Sequence, residues 1–291
     1  MRYRVRHRTT YTYDAPVANS YGLAYVIPRP LPFQRVDSAE VRIVPEPSDL
    51  RRDDDHFGNV VTYFQVTAPH TELVVESESV VDVRAPVLDP EALATPWEAA
   101  RPLQRPDLPD SWRAVDLALP STLVDQTEQA REYAARSLQP GRPIGEAVTE
   151  LMHRIHADFD YRKGATTVTS RIDEVFSVRA GVCQDFAHLT LACLRSHGLA
   201  ARYVSGYLAT SPPPGKERVV GADATHAWAA VWLPDGSWLA VDPTNDQWLN
   251  NRYVTVAWGR DYKDVPPVKG IIFTEARGST LAVSVDVAPV V

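Results

Sequence analysis

Of the 291 residues only two are cysteine, Cys183 and Cys193. A secreted scaffold held by disulfides would use many more. Positive charge is also scarce: 30 Lys and Arg stand against 37 Asp and Glu, for a net charge of −7. A non-specific nucleic-acid binder needs a basic stripe, so no nucleic-acid partner is expected. No apolar run reaches the roughly 18 residues of a transmembrane helix, so no membrane partner is expected either. The N-terminus reads Met1-Arg2-Tyr3-Arg4-Val5-Arg6-His7-Arg8. It alternates charge with apolar residues and lacks the apolar segment of a secretory signal. Cytoplasm is the expected compartment. There is no glycine-rich phosphate loop, and so no cofactor signature.

What is present is ordinary globular composition, 44% hydrophobic and 23% charged. The length suits one or two domains. Residues 9–13, 40–44, 59–66 and 72–83 have strand composition, and turn residues such as Gly58 separate them. This spacing fits a small antiparallel β-sandwich. Between 86 and 120 seven prolines interrupt regular structure. That stretch reads as a long ordered connector, since a structureless loop of such length is unusual. The expected division is a β-rich region with its connector over 1–110 and a core over 111–291 that includes the last strand.

Beyond residue 121 the pattern turns helical. Ile144, Val148, Leu151, Ile155 and Phe159 fall at helical spacing after Pro143. A second helix is expected from Cys183 to about His197, with Gly198 as its stop. Strands follow at 201–207, 226–232, 238–242 and 281–287. The class is α+β. The stretch 211–218, rich in proline, reads as a surface loop that could shape a pocket.

The chemistry concentrates at Gly181-Val182-Cys183. Gly181 suits a sharp turn. A cysteine that opens an apolar helix meets the positive end of the helix dipole and free backbone N–H groups. Both favour the thiolate, the reactive form. The Cys183 N–H could also receive an oxyanion. For Cys183 alone, a small buried hydrophobe is an equal reading. Cys193, inside the same helix between apolar neighbours, reads as structural. His226 opens the strand 226–232, with Trp228 on the same face. Asp242 ends the next strand before Pro243. A two-residue hairpin loop would place His226 and Asp242 on opposite faces, whereas a three- or five-residue loop places them on one. With that register Asp242 holds one imidazole nitrogen and the other faces Cys183, an arrangement of nucleophile, base and orienting group.

The order Gly-Val-Cys at a helix start, His-Ala-Trp at a strand start and then Asp-Pro-Thr resembles the transglutaminase-like core. Residues 202–207 and 259–265 resemble its bacterial branch, and 11–17 resembles the N-terminal region attached to that branch. The resemblance covers nearly the whole chain, although 270–275 is poorer in glycine than the family pattern, which leaves a local turn open. It implies a papain-like fold with Cys183 as nucleophile, His226 as general acid and base, and Asp242 as the orienting group. The family includes transamidases, amide hydrolases and peptidases, so the reaction direction does not transfer.

Tyr161 lies where related folds place an oxyanion donor; a packed surface tyrosine is the alternative. A metal site of Cys183, Asp185 and His188 is disfavoured, because a helical turn does not bring all three together. Residues 260–264 read as a hydrogen-bonded structural cluster, with a role in lining the cleft as the alternative. The leading functional expectation is a cysteine hydrolase acting on a peptide or protein amide. Acyl transfer to an amine is the near alternative and a non-catalytic binding module the third.

Overall fold

In the computed structural model, which describes residues 1–107, 111–210 and 225–290, the N-terminal alternation becomes a strand with two chemically distinct faces. Tyr3, Val5, His7 and Thr9 point inward and Arg2, Arg4, Arg6 and Arg8 outward along β1 (Arg2–Ala24). Strands β2 (Gln34–Val44), β3 (Asp49–Asp54), β4 (Val60–Val66) and β5 (His70–Val83) join it in the order β2-β5-β1-β4-β3. On the outer face Arg6 donates to Glu78, its direct cross-strand neighbour, at 2.8 Å. Val17, Ile43, Phe64 and Val75 form a core beneath the sheet.

The proline-rich connector is ordered in short pieces. It contains α1 (Pro90–Ala94), capped by the Asp89 side chain, two 3-10 turns and α2 (Ser111–Asp116). Trp97 is buried there and its indole N–H donates to the Gln139 carbonyl at 2.9 Å. The boundary expected at 110 falls on 108–110, outside the described residues.

The core follows: α3 (Glu128–Ala135), α4 (Ile144–Asp158), β6 (Asp160–Tyr161), α5 (Ile172–Val178), β7 (Ala180–Gly181) and α6 (Cys183–Arg195). Then come β8 (Ala201–Leu208), β9 (Thr225–Trp232), β10 (Trp238–Asp242), β11 (Gln247–Trp248) and β12 (Tyr253–Gly259). The last five form a sheet in the order β11-β10-β9-β8-β12. The expected apolar stripe of α4 is buried, and α6 packs with it against the face of β9 that carries Ala227, Ala229 and Val231. α6 ends two residues short of His197, and Gly198 follows with a positive φ of 77°.

The end of the chain returns to the N-terminal half. Strands β13 (Val268–Thr274) and β14 (Ser279–Pro289) pair with β1, so they complete a seven-stranded N-terminal sheet and do not extend the core. Residues 270–274, where a turn stood open, lie within β13. At 23 residues β1 is long enough to hold β14 along its first half and β13 along its second. An alternating sequence identifies a strand but not its partner.

Two side-chain amides fasten the N-terminal sheet to the core. β12 is an edge strand, and unpaired edge groups need cover. Gln34 donates to the Thr255 carbonyl at 2.7 Å and accepts from the Thr255 N–H at 2.8 Å. Asn59 makes the equivalent pair with the backbone of Trp258, both bonds at 2.8 Å. Gln34→Ala removes the acceptor of the buried Thr255 N–H and one of the two donors to its carbonyl, the other being the Arg29 N–H at 3.3 Å. It is expected to destabilise the fold by about 2–4 kcal/mol, read as a lower urea midpoint. An unchanged midpoint would show that this amide does not fasten the two regions.

Candidate active site

Helix α5 ends at Arg179, which takes the left-handed conformation with φ 54° and redirects the chain. The chain then runs through β7, paired in parallel with β6, and reaches Val182 and Cys183. The Asp185 side chain folds back to accept from the Val182 N–H at 2.7 Å and the Thr166 hydroxyl at 2.7 Å. This closes the first turn of α6 and fixes where Cys183 begins. Burial holds the Asp185 carboxyl above its usual range. Gly181 has a different task from the sharp turn expected of it. It is not among the residues with positive φ, but a Cβ there would sit 2.7 Å from the Asp185 carboxylate. Glycine is required by the close approach of that side chain.

β9 and β10 pair with Trp232 opposite Trp238, so five residues separate the paired ends. The odd parity places His226 and Asp242 on one face, two residues apart along the ladder as diagonal neighbours. His226 Nε2 donates to Asp242 Oδ2 at 2.7 Å. Cys183 and His226 line one cavity. Burial disfavours the charged ring, but the hydrogen bond and negative charge of Asp242, with a smaller contribution from the neighbouring Cys183, outweigh it. The His226 pKa is pushed up to about 10. At neutral pH His226 is therefore an imidazolium held against the Asp242 carboxylate.

Asp242 is completely buried and held from every side. Its Oδ2 also accepts from Asn245 Nδ2 and the Tyr253 hydroxyl, each at 2.7 Å. Its Oδ1 accepts from the Thr244 and Asn245 N–H groups at 2.9 and 3.3 Å. Burial alone would raise this carboxyl, but His226 first, with Asn245 and Tyr253, holds it below its usual value. Gln247 Nε2 donates to the Tyr253 oxygen at 2.7 Å, which leaves the Tyr253 proton to Asp242. From α4, His156 meets the Pro243 carbonyl and His153 meets Asp246, which supports the loop after Asp242.

Tyr253, Asn245 and Gln247 are site residues that the sequence does not single out. The Asn245 signal was its place directly after Asp-Pro-Thr; Tyr253 lies in β12, two strands away from β9, and carries no local signal. Tyr253→Phe removes a buried bond to a charged group. It is expected to destabilise the protein by about 1.5–3 kcal/mol in urea denaturation. A stability equal to the parent's would show that Tyr253 does not hold Asp242.

A cavity of about 230 Å³ opens over Cys183 and His226. Tyr203 and Tyr262 of the core line one side, and His7, Tyr11, Leu281 and Val283 of the N-terminal sheet line another. The N-terminal region thus forms a wall of the cleft. His7 is buried, hydrogen-bonds with the Tyr207 hydroxyl at 2.9 Å, and is pushed down to about 4 by burial, so it is neutral.

The other candidates separate. Tyr161 pairs with Gly181 beside the approach to Cys183, but its side chain is 53% exposed and does not line the cavity. Cys193 is buried in the core, and its thiol is pushed up by that burial. Asp185 caps α6, whereas His188 accepts from the Tyr262 N–H at 3.1 Å, so these two do not converge with Cys183. Among the described residues no group of three His, Cys, Asp or Glu side chains is arranged to hold a metal. Arg260 pairs with Asp264 and Asp261 accepts from the Leu123 N–H, as a structural cluster would, while Tyr262 reaches the cleft. The loop read at 211–218 lies outside the described residues. Among those residues no helix is long and apolar enough to cross a membrane.

Residues 3–82 match the bacterial transglutaminase-like N-terminal region, and residues 131–243 match the transglutaminase-like superfamily. A protein of Mycobacterium tuberculosis strain H37Rv, named only as uncharacterized, is 49% identical over 99% of this chain and 93% of its own length. Protein-glutamine gamma-glutamyltransferase of Pseudomonas aeruginosa is 33% identical over 120 residues, 40% of this chain and 18% of that protein. Among solved structures, a candidate cysteine protease from Cytophaga hutchinsonii superimposes with a TM-score of 0.74. It is 19% identical and is matched over 98% of this chain and 90% of its own, a likeness of fold.

Proposed function

Because the chain belongs to the transglutaminase-like superfamily of cysteine-based enzymes and carries that superfamily's bacterial N-terminal region, we propose that it is an amide hydrolase that works through an acyl-enzyme on Cys183. The observation that carries this reading is the 2.7 Å His226–Asp242 ion pair in a cavity that Cys183 and His226 line together. The substrate class proposed is a peptide or protein amide.

The Cys183 thiolate attacks the carbonyl carbon and forms the C–S bond. Negative charge moves to the carbonyl oxygen, within reach of the first-turn N–H groups of α6, which lack intrahelical acceptors. His226 gives its proton to the amide nitrogen as the C–N bond breaks, and the amine leaves. Water then attacks the thioester and His226 takes its proton. The C–S bond breaks, the acid departs, and thiolate and imidazolium are restored. Asp242 keeps the ring oriented and stabilises its charge throughout.

Acyl transfer to an amine uses the same residues with an amine in place of water. The 33% identity over 120 residues to a protein named Protein-glutamine gamma-glutamyltransferase favours that second reading. A glutamine-containing peptide library incubated with and without a primary amine separates the two. Free acid as the sole product, whatever amine is supplied, fits hydrolysis. A mass adduct of the amine that grows with its concentration would replace hydrolysis by transfer.

A further inference from the structure

On the face of the five-stranded sheet opposite α6 lies a second cavity, of about 590 Å³. Its floor is Trp228 and Val204, its walls are Trp238 and Trp258, and residues 31–33 and 84–88 of the N-terminal half close over it. Among the described residues two cations, Arg84 and Arg202, border the cavity, and no acidic residue does. In a protein of net charge −7 this is a local inversion of sign.

Arg202 is held in a ladder of rings. Its guanidinium lies 3.6 Å from the centre of the Trp258 ring and 4.1 Å from that of Trp238. Arg29 lies 3.3 Å from the same Trp258 ring and so takes its other face. Planar stacking of this kind suits arginine and fixes its orientation. Among the described residues Arg202 has neither an ion-pair partner nor a hydrogen bond for its buried Nε. Trp228, wholly buried, also has an Nε1–H without a partner. Buried donors are paired in the great majority of cases. Here two orphaned donors belong to residues that border one apolar cavity, whose size falls within the roughly 300–1,000 Å³ of small-molecule sites.

We propose that this cavity binds a small organic carboxylate with a flat apolar body. The carboxylate accepts from Arg202 and from Trp228 Nε1, and the body lies against the indoles of Trp238 and Trp258 and against Val204. The Trp228 ring, 6.1 Å from the His226 ring, separates this site from the cleft that holds Cys183. The proposal is independent of the reaction catalysed there.

The probe pair is 2-naphthoate and its neutral counterpart 2-naphthamide, titrated against the parent protein by calorimetry. Naphthoate should bind at least tenfold more tightly than naphthamide. Arg202→Met, which keeps apolar bulk between the indoles, should lose that preference. Ala240→Leu narrows the cavity with the charge in place and should weaken both probes; it serves where the Arg202 variant fails to fold. Equal affinity for the two probes, no binding at low millimolar concentration, or binding unmoved in Ala240→Leu would overturn the proposal and leave the arginine–tryptophan ladder as packing alone.

Discussion

Cys183→Ala is expected to lower turnover of any amide that the parent cleaves by at least about 10⁴-fold, because Cys183 is the one thiol among the described residues that line the cavity with His226. The only other cysteine, Cys193, is buried in the core with its thiol pushed up by burial. It cannot substitute. The thermal midpoint should change little, because Cys183 is only partly buried at the edge of the main core. Iodoacetamide labelling read by intact mass gives the same test without a substrate. The parent should take one fast label at Cys183, and the label should slow when His226 is replaced by Ala. A Cys183→Ala protein as active as the parent would refute the nucleophile. A labelling rate indifferent to His226 would show that the thiol and imidazole do not act as a pair.

Asp242→Asn should cost about 10²–10⁴-fold in activity and move its pH dependence. The parent's His226 is raised from 6.5 to about 10 in the folded state. The stability from its charged form is fully present below about pH 6.5 and is lost as pH rises through about 10. Asp242 is held below 3.8, so its contribution is present above about pH 3.8 and is lost as pH falls through its lower folded value. Both contributions are complete between about pH 4 and 6.5. At about 1.4 kcal/mol for each tenfold change in proton affinity, the His226 part is worth a few kcal/mol. His226 must be protonated to release the leaving amine. The alkaline limb of kcat/KM should therefore lie near pH 10 in the parent, not near 6.5. In Asp242→Asn it should fall by at least about one pH unit, since the largest contribution raising it has been removed. A parent limb near 6.5, or a limb that stays put in the variant, would show that Asp242 does not hold the imidazolium.

What could be read along the chain was what neighbours in sequence decide. A cysteine two residues after glycine at the head of an apolar run gave the start of α6, whereas the alternation of residues 2–8 reads only as the lack of a secretory signal, with the strand expected to begin at Thr9. The turn Pro234-Asp235-Gly236-Ser237 announced a hairpin, and the parity of its loop was identified as the quantity on which one face for His226 and Asp242 depended. The value of that parity was not legible. It is set by Trp232 pairing with Trp238, a matter of how the two strands settle against the core. Gly181 was noticed for the wrong reason, because a turn is a local property and the approach of Asp185 is a packing one.

By itself the sequence determined the elements and the reactive residue types: strands, helices, a cysteine at a helix N-terminus, a histidine at a strand start and an aspartate at a strand end. Each follows from side-chain periodicity and backbone preference within a few residues. Tertiary structure alone decided the rest. It returned β13 and β14 to β1, so that Leu281 and Val283 stand beside Tyr11 in one wall of the cleft over Cys183. It brought Tyr253 beneath Asp242 and set Gln34 against Thr255, 221 residues away. Such contacts are chosen by the burial of whole faces and the pairing of buried polar groups, which are properties of the assembled chain and leave no periodic mark along it.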